Sequence, residues 1–190
     1  LAEADYKNIW YAHIVGVDAE YLNEKNGVMR IYNDPGQFYN YKTLCVDRDA
    51  FKNCTELKAI EFWQTDGRSG NSYSDLKMVI HNGAFQGCTN LKELRMFYKA
   101  EDGDERWITL GPQDVVPGDN IFGIPTAAEY EAMSPEEREH CNSIPQDFKI
   151  LVATDRFDEF LEDPNWMPYI PYIEPVEYDP GQKDQDFMID

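Results

Sequence analysis

The side chains that could act as nucleophiles, bases or metal ligands in this chain include four cysteines and three histidines. A catalytic histidine needs a nucleophile and an orienting acid within hydrogen-bond reach. His13 lies in an apolar run, His81 between expected core positions, and His140 at the end of an acidic segment. None has such partners at a recognisable spacing. The sequence therefore predicts no catalytic residues.

The spacing of the cysteines indicates packing rather than chemistry. They form no CxxC pair, and no histidine lies at metal-ligand distance from a second ligand, so we expect no metal ion and no cofactor. Cys54 and Cys88 lie 34 residues apart in a repeated pattern. We predict that they are free thiols in the core, where cysteine packs as a small hydrophobe. Cys141 paired with a distant histidine would form a thiol site, but the repeat spacing already explains this cysteine. A hydrolase with its site between the N-terminal segment and the repeat is a further alternative function.

Acidic residues are too numerous to identify a site. The chain has 36 acidic and 17 basic residues, a net charge of −19, which repels phosphate backbones and makes nucleic acid an unsuitable partner. The run 102–105 (DGDE) lacks the alternating ligands and the final glutamate of an EF-hand. No apolar run approaches the ~20 residues of a membrane span. We therefore expect no membrane insertion by this chain.

Residues 50–62 and 84–96 are two copies of one pattern, AFKNCTELKAIEF and AFQGCTNLKELRM, identical at six of 13 positions. Self-similarity at a fixed offset is typical of solenoids. Each copy ends in an apolar alternation that predicts a short strand, as in the leucine-rich template L-x-x-L-x-L. The predicted core positions of the repeat are Phe51, Cys54, Leu57, Ile60 and Phe62 in the first copy, and Phe85, Cys88, Leu91, Leu94 and Met96 in the second.

The offset of 34 residues exceeds the 20–29 residues of a leucine-rich coil. Removing the polar stretch 65–75, which has two glycines, three serines and no aliphatic residue, leaves 23. Such a composition is typical of a surface loop. The sequence thus predicts ordinary coils interrupted by insertions.

The two copies resemble the BspA-like leucine-rich repeats of bacterial surface proteins. The C-terminal stretch from Ile150 to Ile173, with Trp166 and Tyr169, resembles the closing coil of that family. This resemblance implies a short α/β leucine-rich-repeat solenoid with a parallel β-sheet, irregular coils, helical insertions and caps at both ends. It also implies adhesion or recognition of a host or bacterial surface protein by a non-catalytic secreted or cell-surface protein. We expect that a signal or lipid anchor preceded Leu1.

The expected organisation has three parts. Residues 1–44 do not fit the repeat and form an N-terminal cap segment. Residues 45–173 form the repeat domain, with a helical insert at about 126–141 and a C-terminal cap at about 154–173. Residues 174–190 form an acidic tail.

Capping signals place the short helices. Thr126 with Glu129, and Ser134 with Glu137 three residues later, are capping boxes that predict helices at about 127–133 and 135–141. A further helix is expected after a cap at Thr154 or Asp155, with Phe157, Phe160 and Leu161 facing inward.

The candidate binding residues lie on the outward side of the predicted strands. Trp63 and Phe97 occupy equivalent positions and should lie side by side, flanked by Glu61 and Arg95. Exposed aromatic rings beside charges suit contact with a protein or a sugar. A carbohydrate-binding accessory module using Trp63, Phe97 and Tyr98 is therefore the alternative function. The insertions or the N-terminal cap could also cover these rings.

Overall fold

A computed structural model describes residues 11–33, 43–64, 77–99, 107–139 and 141–177. The fold is a mixed α/β fold with parallel strands in two sheets and few, short helices. The strands are β1 (Tyr11–Ile14), β2 (Val28–Asn33), β3 (Thr43–Val46), β4 (Ala59–Gln64), β5 (Lys77–Ile80), β6 (Glu93–Arg95), β7 (Phe97–Lys99), β8 (Trp107–Thr109), β9 (Val115–Pro117), β10 (Lys149–Ala153) and β11 (Ile173–Val176). The helices are α1 (Ala19–Glu24), α2 (Ala127–Ala132), α3 (Pro135–Glu139) and α4 (Phe157–Glu162).

The chain alternates between the two parallel sheets. One sheet has the order β1-β3-β5-β9, and the other has the order β11-β10-β6-β4-β2. Each of the first three strands of the four-stranded sheet is followed by the corresponding strand of the five-stranded sheet, and β9 is followed by β10 after the helical insert. An antiparallel pair, β7 with β8, interrupts this alternation.

One hydrophobic core joins the two sheets. In the five-stranded sheet, Ile60 pairs in register with Leu94, which pairs with Ile150, and all three are fully buried. In the four-stranded sheet, Met78 occupies the corresponding inward row and is also fully buried. These side chains belong to a single cluster. Alternate residues along each strand therefore separate the core side from the outward side.

The turns between the two sheets lie against one another. Phe51 N donates to Ala84 O at 3.0 Å, and the rings of Phe51 and Phe85 stack at 5.6 Å between centroids. Phe122 extends this row at 6.2 Å from Phe85. The predicted core residues of both copies are buried, except that Cys54 is half-buried.

Two left-handed residues make the tight turns possible. Asn53 has φ of 58° and Gly87, its equivalent in the second copy, has φ of 74°. Asparagine and glycine are the residues that tolerate this conformation most readily. Both positions therefore allow a tight turn before each cysteine.

The described part of the N-terminal segment covers the first repeat by continuing its sheets. β1 pairs in parallel with β3, and β2 pairs in parallel with β4 over six residues. Leu22 of α1 is fully buried and joins the core. Residues 1–10 and 34–42 of the expected cap lie outside the described residues, as do the predicted loop at 65–75 and the tail from 178 onward.

Both capping boxes of the helical insert are formed. Glu129 N donates to Thr126 Oγ1 at 3.3 Å, and Thr126 N donates to Glu129 Oε2 at 2.8 Å. Glu137 N and Ser134 N make the same reciprocal bonds at 3.2 and 2.7 Å. α2 and α3 therefore begin where the sequence predicts.

The cap predicted for the last helix is wrong. Residues 154–156 form a 3₁₀ turn after β10, so Arg156 precedes α4 and no side chain caps it. Phe160 is fully buried as expected, whereas Phe157 and Leu161 are only half-buried. Trp166 closes this end of the core, where its Nε1 donates to Pro112 O and Val115 O, each at 3.1 Å. In the described part of the chain, no helix is long and apolar enough to cross a membrane.

Candidate functional site

The outward side of the five-stranded sheet carries a row of charged residues set by strand register. Arg30 on β2 pairs with Glu61 on β4, and Glu61 pairs with Arg95 on β6. Leu151 and Glu174 continue the same row on β10 and β11. Because side chains alternate along a strand, the residues of this row point away from the core.

These charges form a connected network. Arg95 Nη1 lies 2.6 Å from Glu61 Oε1, and Arg30 Nε lies 2.9 Å from Glu61 Oε2. The second guanidinium nitrogen of Arg95 lies 2.8 Å from Glu93 Oε2. Burial alone would lower the pKa of Arg30, but hydrogen bonding and the charge of Glu61 raise it above its ordinary value. The structure thus brings Glu61 and Arg95 together as an ion pair.

An aromatic cluster adjoins this network. The rings of Trp63 and Tyr98 stack at 4.3 Å with an interplanar angle of 19°, and Tyr32 lies 5.0 Å from Trp63. The guanidinium carbon of Arg30 is 4.8 Å from the Trp63 ring centroid, which is within cation–π range. Trp63 is only 7% exposed, whereas Tyr32 is 49% exposed. Tyr32 is therefore the accessible ring of the cluster.

Phe97 does not join Trp63 in an exposed pair. β6 ends at Arg95, after which Met96 N donates to Leu151 O at 2.9 Å and the chain enters the antiparallel strand β7. This change of partner turns Phe97 against Trp107, with ring centroids 6.0 Å apart. Both Trp63 and Phe97 are buried, so the expectation of an exposed pair at these positions is wrong.

Tyr98 takes the place beside Trp63 that the repeat alignment gives to Phe97. Its hydroxyl donates to the carbonyl oxygen of Gln64, which fixes the ring against β4. Trp63 Nε1 is buried, and no hydrogen-bond partner for it exists among the residues that the structure describes. The faces of the indole are occupied by protein groups, so the ring offers no stacking platform for a sugar.

Sequence reasoning missed Arg30 and Tyr32 because they lie outside the repeat copies. A signal was nevertheless present, since Met29 and Ile31 alternate with Arg30 and Tyr32 in the period of a strand. In the structure, Ile31 is fully buried and Tyr32 is exposed, as that alternation requires.

The residues considered for catalysis lie elsewhere. His13 Nδ1 is 2.8 Å from Asp47 Oδ1 on the exposed side of the four-stranded sheet. Cys88 Sγ donates to Phe51 O at 2.9 Å, and burial raises the pKa of its thiol to about 12, so it is protonated near neutrality. All four cysteines are free. Across the described ranges, no group of three or more metal-ligating side chains is arranged to hold an ion.

The charged network and the aromatic cluster, formed by Arg30, Tyr32, Glu61, Trp63, Glu93, Arg95 and Tyr98, are named here the outward face.

Comparison of the chain with protein-family models, with curated proteins and with solved structures found no match.

Proposed function

We propose that this chain is a short leucine-rich-repeat scaffold that recognises another protein through its outward face. The alternation of the chain between two parallel sheets supports this proposal, as does the stacking of Phe51, Phe85 and Phe122 at successive turns. The resemblance of the two repeat copies to BspA-like repeats supports a location outside the cell. In this proposal the chain is a binding protein with no catalytic role.

The arrangement of Arg30, Tyr32 and Trp63 is the observation that carries the proposal. Tyrosine, tryptophan and arginine dominate the binding energy of protein interfaces, especially where they are held rigidly. Here Arg30 is fixed between Glu61 and the Trp63 ring, and Tyr32 packs against the same ring. A partner that covers Tyr32 would therefore order few additional side chains, which lowers the entropic cost of binding.

A protein partner suits this face better than a glycan. A carbohydrate-binding module would stack a sugar on Trp63, Phe97 and Tyr98, and all three rings are buried. Tyr32 is a single exposed ring on this face rather than a stacking platform. The ion pairs of Glu61 with Arg30 and Arg95 instead present charges of both signs at fixed positions. Such a pattern favours a partner with complementary charges and determines its orientation.

The proposal is tested by probing an array of host extracellular-matrix and bacterial surface proteins with the labelled protein. We expect saturable binding to at least one protein, weakened at least tenfold by Tyr32→Ala, since an anchor tyrosine contributes ~2 kcal/mol or more. Tyr130→Ala is the matched control, because Tyr130 has a similar exposure of 43% but lies on α2.

A glycan array is probed in parallel with the same variants. If Tyr32→Ala and Tyr130→Ala weakened binding equally, this result would contradict a role for the outward face. A response on the glycan array without any protein binding would contradict protein recognition itself.

A further inference from the structure

A concave surface separate from the outward face lies over the stacked turns rather than over a sheet. Its floor is made by three successive turns, in which Asp49 N donates to Gly83 O at 3.3 Å and Gly83 N donates to Asn120 O at 2.9 Å. Its wall is formed by Met133 of the helical insert and by the loop after Gly123. The volume of this open groove, named the turn groove, is about 680 Å³, within the ~300–1,000 Å³ typical of ligand sites.

Glycines keep the floor of the turn groove low. Gly83 has φ of 77° and Gly123 has φ of 61°, conformations that disfavour other residues. The Arg48 side chain passes over Gly83, where a Cβ atom would lie 3.6 Å from Arg48 Cγ. The Gln86 side chain similarly packs over Gly123 at 3.4 Å.

One side of the turn groove is cationic. Arg48 and Lys52 line it, and both are exposed. Lys52 Nζ lies 3.6 Å from Asp49 Oδ1, whereas within the described residues the Arg48 guanidinium has neither an ion pair nor a hydrogen bond. In a chain of net charge −19, an arginine with no acidic partner is available to an anion.

The wall of the turn groove is anionic and partly apolar. Glu129 and Glu137 each use Oε2 in a capping box, which lowers the pKa of both carboxyl groups and keeps them ionised near neutrality. Met133 and Ile124 are half-buried on the same wall. Between the two sides, the half-buried side-chain amide of Gln86 makes no hydrogen bond to any group that the structure describes. An amide offers both a donor and an acceptor, as a peptide bond requires.

We infer that the turn groove binds a short free peptide. The peptide carboxylate contacts Arg48 and Lys52, a peptide bond is hydrogen-bonded by the Gln86 amide, and the peptide ammonium faces Glu129 and Glu137. An apolar peptide side chain packs against Met133. This site is separate from the outward face and does not depend on the function proposed for it.

Titration of the isotope-labelled protein with the tripeptide Ala-Leu-Ala, followed by NMR, tests the inference. We expect saturable shifts of the Gln86 side-chain amide and of the Gly83 and Gly123 backbone amides. Because each charged terminus makes charge-assisted hydrogen bonds in the proposed complex, amidation of the peptide carboxylate or acetylation of its amine should each weaken binding at least tenfold.

A matched pair of double variants separates local contacts from net charge. Arg48→Gln/Lys52→Gln should weaken binding at least tenfold, whereas Lys58→Gln/Lys92→Gln removes the same charge outside the groove and should leave binding unchanged. Absence of saturable shifts at millimolar peptide, equal binding of either blocked peptide, or equal losses in the two double variants would each overturn the inference. The blocked peptides decide the outcome on the wild-type protein even if a variant fails to fold.

Discussion

The molecule contains two rows of aromatic side chains that arise from the same repeat spacing but differ in how they pack. In the core, Phe51, Phe85 and Phe122 follow one another at successive turns, each close to the next. At the ends of the strands, the equivalent residues Trp63 and Phe97 do not contact each other in this way. Trp63 stacks on Tyr98, and Phe97 packs against Trp107. A repeated sequence therefore gives a repeated contact only where the backbone pairing also repeats.

Backbone hydrogen bonds explain the difference. At the turns, Phe51 N donates to Ala84 O and Phe85 N donates to Ile121 O, so consecutive turns keep one register. At the ends of the strands the pairing of β4 with β6 stops at Arg95, and from Phe97 onward the chain pairs as β7 with β8. Met96 is still buried in the core, as its equivalent Phe62 is, but side chains from Phe97 onward no longer follow the register of the repeat.

The largest expected effect tests the core row. Phe85→Ala removes a fully buried ring that contacts both Phe51 and Phe122, and should lower the free energy of unfolding by ~3–5 kcal/mol. Urea denaturation followed by circular dichroism measures this loss. Tyr32→Ala on the outward face is the control. Apart from the loss of its contact with the Trp63 ring, this substitution should lower the free energy of unfolding by less than ~0.5 kcal/mol. Similar losses for the two variants would refute the contrast between the rows.

The two buried indoles, Trp166 and Trp63, differ in their hydrogen bonds and allow a second comparison. Trp166→Phe removes the N–H group that donates to two backbone carbonyl oxygens. This loss should lower the free energy of unfolding by ~1–3 kcal/mol, in addition to the effect of the lost volume. Trp63→Phe loses similar volume but no hydrogen bond within the described residues. Urea unfolding of both variants should therefore show the greater loss for Trp166→Phe. An equal or greater loss for Trp63→Phe would show that its Nε1 has a partner in the folded protein.

The next expected effect is smaller: the coupling energy within the charged network should exceed that of an ordinary surface ion pair. A double-mutant cycle on Arg95 and Glu61, which are 22% and 15% exposed, should give a coupling energy of ~1 kcal/mol. The same cycle on Lys149 and Glu174, which are 46% and 50% exposed, should give a smaller coupling energy, because solvent screens both charges. Raising the salt concentration should reduce the exposed coupling more strongly. The reverse order of the two coupling energies would contradict the idea that the network is preorganised.

The core row could be predicted from the sequence because its determinants are local. The identical spacing of Phe51 and Phe85, and the left-handed turn residues Asn53 and Gly87, appear within each copy of the repeat. The capping boxes at Thr126 and Ser134 were predictable for the same reason, since each needs only residues three positions apart.

The outward face could be predicted only in part, because it depends on contacts between distant segments. Glu61 and Arg95 occupy equivalent positions in the two repeat copies, but Arg30 and Tyr32 come from a segment without repeat residues. The position of Phe97 depended on where β6 ends and on Trp107, which belongs to another strand. No local pattern specifies either of these facts.

The smallest expected effect lies where local sequence alone determines the geometry, at the caps of the helical insert. Hydrogen bonds from the Thr126 backbone and then from its hydroxyl lower the pKa of Glu129. Thr126→Ala retains the backbone donor and removes the hydroxyl, so the pKa of Glu129 should rise only part of the way to its ordinary value. Because the pKa is depressed in the folded state, the stabilisation from this cap is present above the ordinary glutamate pKa and is lost as the pH falls through the folded-state pKa.

Side-chain carbon shifts in an NMR pH titration measure this change, with Glu137 as the internal control. Glu137 has the equivalent bonds to Ser134, and its pKa should be unchanged in Thr126→Ala and should rise in Ser134→Ala. If either substitution shifted both carboxyl groups, the two caps would be coupled through the helical insert. The features predictable from local sequence would then share the dependence on distant contacts that separates Phe97 from Trp63.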